Sequence, residues 1–161
     1  VLPGKALQGD DPDTLRGQYA DNLRWAADIA GAHGVKIDVE ALNREDIAGS
    51  LLPTQADVFA LLEELDHPAI DLQFDYYHCL KEKKDPVEQY LQVSSRVGHI
   101  QFADPAGRQQ PKADDVALQR FVEVVLSQGY RGWFSAEYRP AGHSLESLSW
   151  MRQFKQTEAK F

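Results

Sequence analysis

The chain has 161 residues, 43% of them hydrophobic and 26% charged, and 25 Asp+Glu against 17 Lys+Arg leave a formal charge of −8. This composition excludes a disordered chain, and the acidic balance argues against broad nucleic-acid binding, which needs a basic stripe to neutralise phosphates. The length suits one domain of ~100–200 residues, and no run of ~18 apolar residues is present to cross a membrane.

Val1–Gly4 reads as the end of a strand running into a loop, without an initiating Met and without the apolar stretch of a signal peptide. Turn residues follow at Gln8–Pro12, and the apolar residues Leu15, Tyr19, Leu23, Ala26, Ala27 and Ala30 then recur at helical spacing over Asp13–Ala32, ended by His33-Gly34. Val35–Leu42 alternates apolar and polar residues with the strand period of two. A helix is expected over Pro53–Leu65, with Thr54 or Ser50 near its start, and a second alternating strand over Ala69–His78. The charged run Lys81–Asp85 reads as a solvated loop. A helix from about Pro86 to Ser95 leads to a strand over Val97–Asp104, and the helix Asp115–Gln128 ends in Gly129, a residue suited to a left-handed cap. Gly132–Tyr138 is the fourth strand and Ser144–Phe154 the last helix. Strands alternating with helices at this spacing predict a parallel sheet covered by helices.

A parallel strand buried on both faces reads as continuous Val, Ile and Leu, and these strands do not. Val35, Ile37, Val39 and Ala41 alternate with Lys36, Asp38 and Glu40; Ile70, Leu72 and Phe74 with Asp71, Gln73 and Asp75. Ile100 and Phe102 are set against His99 and Gln101, and Phe134 and Ala136 against Ser135 and Glu137. One face suits packing under helices. The other, inside a closed barrel, would hold buried charge that is costly unless paired or bound to metal. Glu40, Asp75, Gln101 and Glu137 stand at the C-terminal ends of the four strands, where barrel enzymes carry their chemistry. Three carboxylates and an amide oxygen form a hard donor set suited to Mg²⁺ or Mn²⁺. Taken singly, each is more readily a solvated strand-end polar group; four on successive strands point instead to a shared cation, which would also remove the repulsion among carboxylates.

His78 follows Asp75 by three residues, either as a packing or capping residue or as a group orienting a substrate oxygen. His99, on the face of Gln101 and one layer deeper, reads as a hydrogen-bonded interior histidine. Arg108 is either a surface charge or a bidentate carboxylate binder reaching over the site. Trp25, Trp133 and Trp150 read as core or helix-packing residues. Cys79 is the only cysteine, so no intrachain disulfide forms, a cytoplasmic setting is expected, and no base beyond His78 is identifiable to activate it as a nucleophile.

The segments VEALN (39–43), LQFDYYH (72–78), GHIQFAD (98–104) and GWFSAEYRP (132–140) resemble the last four strands of the hydroxypyruvate isomerase family. That family lies in the xylose-isomerase-like barrel superfamily, with the ketose 3-epimerases and 2-oxo-tetronate isomerases. The resemblance implies the C-terminal half to two-thirds of a (β/α)8 TIM barrel, one partial domain over residues 1–161 made of a stub of the fourth barrel strand and strands five to eight. It implies a divalent metal, Mg²⁺ or Mn²⁺, held by Glu40, Asp75, Gln101 and Glu137. Glu40 and Glu137 would be the proton-transfer pair, and His78 and Arg108 the contacts to substrate oxygens. After Arg108 the family continues with a Gly-Glu-Ile-Asn-like stretch, where this chain has Pro111–Val116.

The implied activity is isomerisation of a small hydroxy-keto acid, such as hydroxypyruvate to tartronate semialdehyde, with 2-oxo-tetronate isomerisation or ketose 3-epimerisation as alternatives. Phosphodiester cleavage at apurinic sites, another chemistry of related barrels, calls for a basic DNA-facing surface that a chain at −8 lacks. The expected partners are therefore a small substrate, no nucleic acid and no membrane. A whole barrel needs at least ~200 residues, so either a missing N-terminal half or a second copy, as a homo-oligomer, is expected to complete it; otherwise the chain is a catalytically incomplete fragment.

Overall fold

A computed structural model describes residues 1–112, 114–154 and 159–161; Ala113, within the divergent 111–116 stretch, lies outside the described residues. Four strands, β1 (Ile37–Glu40), β2 (Ile70–Asp75), β3 (Val97–Phe102) and β4 (Phe134–Ala136), form one sheet in sequence order, every pair parallel. Helices α1 (Pro12–Ala32), α2 (Gln55–Leu65), α3 (Tyr76–Lys81), α4 (Pro86–Val93), α5 (Val116–Ser127) and α6 (Ser144–Ser147) complete the described α-helical elements, with short 3-10 segments at Ser94–Arg96 and Leu148–Phe154. This is the strand–helix alternation of a partial (β/α)8 barrel.

Helix starts follow local chemistry. Asp11 and Asp85 accept backbone N–H groups ahead of Pro12 and Pro86, and Thr54 with Asp57 forms a reciprocal capping box on α2. Asp115 caps α5, and Gly129, with φ +88°, takes the left-handed turn beyond its end. The alternation of the strands divides the sheet as read from the sequence. Val39, Ile70, Leu72, Phe74, Ile100 and Phe102 are buried beneath helices, in a core continued by Leu61, Leu62, Phe121 and Val125. At one end Phe102, Trp150, Phe154 and Phe161 form an aromatic cluster with centroid separations of 5.0–6.4 Å.

Several boundaries differ from the sequence expectation. β1 is shorter than Val35–Leu42, and Val35 is exposed rather than on the buried face. The second strand stops at Asp75 instead of His78, because the Asp75 carboxylate accepts from the N–H groups of Tyr77 and His78 and starts α3 there. The last helix is α-helical only to Ser147, whose hydroxyl donates to the Ser144 carbonyl at 2.7 Å and so competes with the α-helical ladder. Lys81 and Glu82, read as a solvated run, instead pair with Glu45 and Arg44. Trp150 is in the core, but Trp25 and Trp133 are exposed: Trp25 stands on α1 outside the set Ala20, Leu23 and Ala27 that the helix buries, and Trp133 precedes β4, the last strand in the sheet order.

The opposite face carries hydrogen-bonded polar side chains: Gln73 Nε2 donates to Gln101 Oε1 at 2.7 Å, and His99 Nε2 lies 2.7 Å from Ser135 Oγ. Its register depends on a bulge. Leu72 pairs with Val97 while Gln73 pairs with His99, so Gly98 is the extra residue that puts Val97 against the core and His99 on the polar face. A Cβ at Gly98 would stand 2.4 Å from Asp38 Oδ1 and 2.8 Å from Asp71 Cβ. Gly98→Ala is therefore expected to cost about 1–3 kcal/mol of stability, as overpacking does, measured by urea unfolding; an unchanged midpoint would show that the bulge has room to spare.

Candidate active site

Glu40 is the last residue of β1, and Asp75 the last of β2. Both are almost fully buried, at 4% and 1% exposure. They are stepped rather than level: Glu40 pairs with Gln73, and Asp75 with Gln101. The parallel stagger thus carries Asp75 two residues past Glu40, and its capping of α3 turns His78 back toward both. His78 Nε2 lies 3.5 Å from Glu40 Oε1 and 4.0 Å from Asp75 Oδ2, and Glu40, Asp75 and His78 each offer an atom within 4.8 Å of the others.

Gln101 is half-buried on the neighbouring strand, its Oε1 holding the Gln73 amide. Glu137 follows β4 by one residue and is exposed; Arg108 Nη2 donates to its Oε2 at 2.7 Å. Arg108 also lies over the Tyr77 ring, 5.0 Å from the centroid, and adopts φ +54°, a left-handed conformation that a loop with a bridge between Asp104 and Gln109 imposes. Of the six residues singled out in the sequence, the structure brings Glu40, Asp75 and His78 into one buried cluster and joins Arg108 to Glu137 at its mouth. Gln101 stands one strand away, in register with Asp75.

Electrostatics bind the two groups together. Burial, then the charges of Asp75 and Glu137, push Glu40 up to about 8. Burial raises Asp75 to about 6 against the opposing N–H bonds to its carboxylate and the Arg108 charge. Burial and then Arg108 push His78 down to about 4, so it is neutral at physiological pH. Crowded, desolvated carboxylates are what a divalent cation relieves. Glu40 Oε1 is buried with no hydrogen-bond partner, an orphaned acceptor facing the cluster. The residues present therefore fit a hard cation held by oxygen atoms.

Sequence reasoning missed Asn43, Asp46 and Tyr77. Asn43 is completely buried and touches His78, Asp46 accepts from both Asn43 and the Tyr77 hydroxyl, and Tyr77 carries Arg108 on its ring. The available signal was the Asn-x-x-Asp spacing directly after a strand-end glutamate, which favours a side-chain-closed turn. Cys79 is buried, and burial pushes its thiol up to about 12, which agrees with its reading as an inert thiol. Native chain is expected to leave Cys79 unmodified by iodoacetamide at pH 8 and to react on unfolding; rapid labelling of folded protein would contradict this.

Residues 1–154 match the family described as xylose isomerase-like TIM barrel. The chain is 31% identical over 154 residues to a 2-oxo-tetronate isomerase of Cupriavidus necator, covering 96% of this chain and 59% of the relative. It is 25% identical to the hydroxypyruvate isomerase of Escherichia coli K12, over 96% of this chain and 60% of that enzyme. Among solved structures, one titled AP endonuclease, family 2, from Brucella melitensis superposes with a TM-score of 0.84 at 27% identity, over 91% of this chain and 57% of that one. The chain thus spans about three fifths of the length of the curated relatives it matches. No described helix is long and apolar enough to cross a membrane.

Proposed function

Since the chain belongs to the xylose isomerase-like TIM barrel family, we propose that it forms the catalytic part of a metal-dependent isomerase of small hydroxy-keto acids. The observation that carries this reading is the convergence of buried Glu40, Asp75 and His78 at the C-terminal ends of parallel strands, with the Arg108–Glu137 pair at their mouth. Glu40, Asp75, Gln101 and Glu137 would hold the cation, the donor set being oxygen only. Bound Mg²⁺ or Mn²⁺ would supply Lewis-acid polarisation of a carbonyl and neutralise developing enediolate charge.

The protein groups then have distinct tasks. Arg108, already paired with a carboxylate, has the fork that binds the substrate's carboxylate. For hydroxypyruvate, one of Glu40 and Glu137 removes a C3 proton and the other returns one to C2, while the hydroxyl proton passes from O3 to O2, giving tartronate semialdehyde. Glu40, held by burial at a basicity near neutrality, suits a group that both takes and gives a proton. A 2-oxo-tetronate is the second reading of the substrate, favoured by the 31% identity to the Cupriavidus enzyme. DNA cleavage is disfavoured by the acidic balance of the chain.

A closed barrel needs at least ~200 residues, so the far wall of the pocket comes from outside these 161 residues, from a longer form of the protein or from a second copy; solution mass separates the two. With the barrel complete, Glu137→Gln is expected to lower turnover at least ~10²-fold, the scale of a lost acid–base group, with the circular dichroism spectrum unchanged. Near-normal turnover on hydroxypyruvate and 2-oxo-tetronates would remove Glu137 from the mechanism. Glu40→Gln is expected to weaken Mn²⁺ binding, followed by calorimetry, by at least ~10-fold; undiminished affinity would place the cation elsewhere.

A further inference from the structure

His78 holds a position in the buried cluster that two opposite chemistries can use. Its Nε2 can present a lone pair to a cation or an N–H to an oxygen, and the partner of Nδ1 decides which. The backbone N–H of Asn43 donates to His78 Nδ1 at 3.2 Å, and Asn43 Nδ2 lies 2.6 Å from the same nitrogen. The Asn43 amide is held in that sense at its other end, where Oδ1 accepts from the Asp46 N–H at 2.8 Å and Nδ2 donates to Asp46 Oδ2 at 3.0 Å. Turned round, it would set oxygen against carboxylate and N–H against N–H. Asp46 is in turn held by the Tyr77 hydroxyl, which donates to Oδ2 at 2.7 Å, under the Arg108 guanidinium.

The Asn43 backbone and amide N–H groups both point at Nδ1, where a lone pair and not a hydrogen would meet them. Nε2 is buried, has no hydrogen-bond partner, and faces Glu40 Oε1 at 3.5 Å. A cation-ligating histidine shows the reverse arrangement, its far nitrogen donating to a carboxylate or carbonyl so that the near one is free to bind. We propose that Asn43, oriented by Asp46, is a positioning residue that fixes His78 as the Nε2–H tautomer, so that His78 enters the site as a hydrogen-bond donor and not as a ligand to the cation. The natural acceptor is a carbonyl or hydroxyl oxygen of the substrate, a consequence that rests on the isomerase reading; the tautomer itself does not.

The test reads the ring nitrogens directly. In two-bond ¹H–¹⁵N correlation spectra of the ¹⁵N-histidine-labelled chain at neutral pH, with the His78 signals assigned by their loss in His78→Gln, Nε2 is expected to be protonated and Nδ1 bare. An Nδ1–H tautomer overturns the proposal. On saturation with Zn²⁺ the Nε2 proton is expected to persist, and its replacement by the metal overturns the assignment as donor. Asn43→Asp puts an acceptor where the amide donor was, and Nδ1 is expected to gain a proton; an unchanged spectrum removes the Asn43 side chain from the role and overturns the proposal. Should that variant fail to fold, Asp46→Ala removes the carboxylate that holds Asn43 Nδ2 and leaves only the backbone N–H on Oδ1, and an Nδ1–H population absent from the parent is expected, its absence again counting against the proposal. An inactive complete enzyme with the expected spectrum would defeat the isomerase reading alone, and an active one with an Nδ1–H His78 would defeat this inference alone.

Discussion

The carboxylate of Asp75 is shared between two demands that compete for it. Oδ1 accepts the Tyr77 and His78 N–H groups and starts α3, while Oδ2 faces His78 and the space beside Glu40. The first demand ends β2 and bends the chain, which is why His78 returns over the strand end. The second puts a charge where only 1% of the residue is exposed, and such burial is tolerable only when hydrogen bonds or a cation take up the charge. The donors to Oδ1 offset part of that cost, and the cluster around Glu40 is left with the rest.

From this constraint the electrostatics of the site follow. Glu40 has no donor of its own at Oε1, so repulsion from Asp75 and Glu137 adds to burial and raises its basicity. Arg108 counters both carboxylates from the mouth, and its position is fixed from two sides, by the ion pair with Glu137 and by the Tyr77 ring. The same Tyr77 hydroxyl braces Asp46, and Asp46 orients Asn43. A continuous set of contacts thus runs from the exposed Glu137 to the buried His78. Along it the Asn43 amide is held in one sense, its Oδ1 accepting the Asp46 N–H and its Nδ2 donating to Asp46 Oδ2.

The sheet supplies the frame for this arrangement. Period-two alternation places one residue set under the helices and the other on the polar face, and the Gly98 bulge preserves that division across β3 despite the extra residue. The flanks of the sheet are less settled. Trp133 is exposed beside β4, where it bridges Lys160 and the Lys160 carbonyl accepts the Phe134 N–H at 2.7 Å. At the other flank Val1 bonds β1, its amino group to the Asp38 carbonyl and its carbonyl to the Glu40 N–H.

The 161 residues by themselves determined the class of fold, the order of the strands and the faces they present, because alternation and capping are short-range properties written at spacings of two to four residues. They also carried Glu40, Asp75, Gln101 and Glu137 at successive strand ends, as well as His78 and Arg108 beyond two of them. Strand lengths were less legible, since Asp75 looks like one more alternating residue until its carboxylate is seen to cap a helix. The exposure of Trp133 depends on what stands beside β4, which no local pattern encodes. Only the tertiary structure decided which candidates meet: stagger between parallel strands put Asp75 level with Gln101 and Glu40 level with Gln73, a displacement set by interstrand hydrogen bonds. It likewise brought Asn43, 35 residues from His78 in sequence, to 2.6 Å from its ring, because a hydrogen bond exists only between groups that folding has brought together.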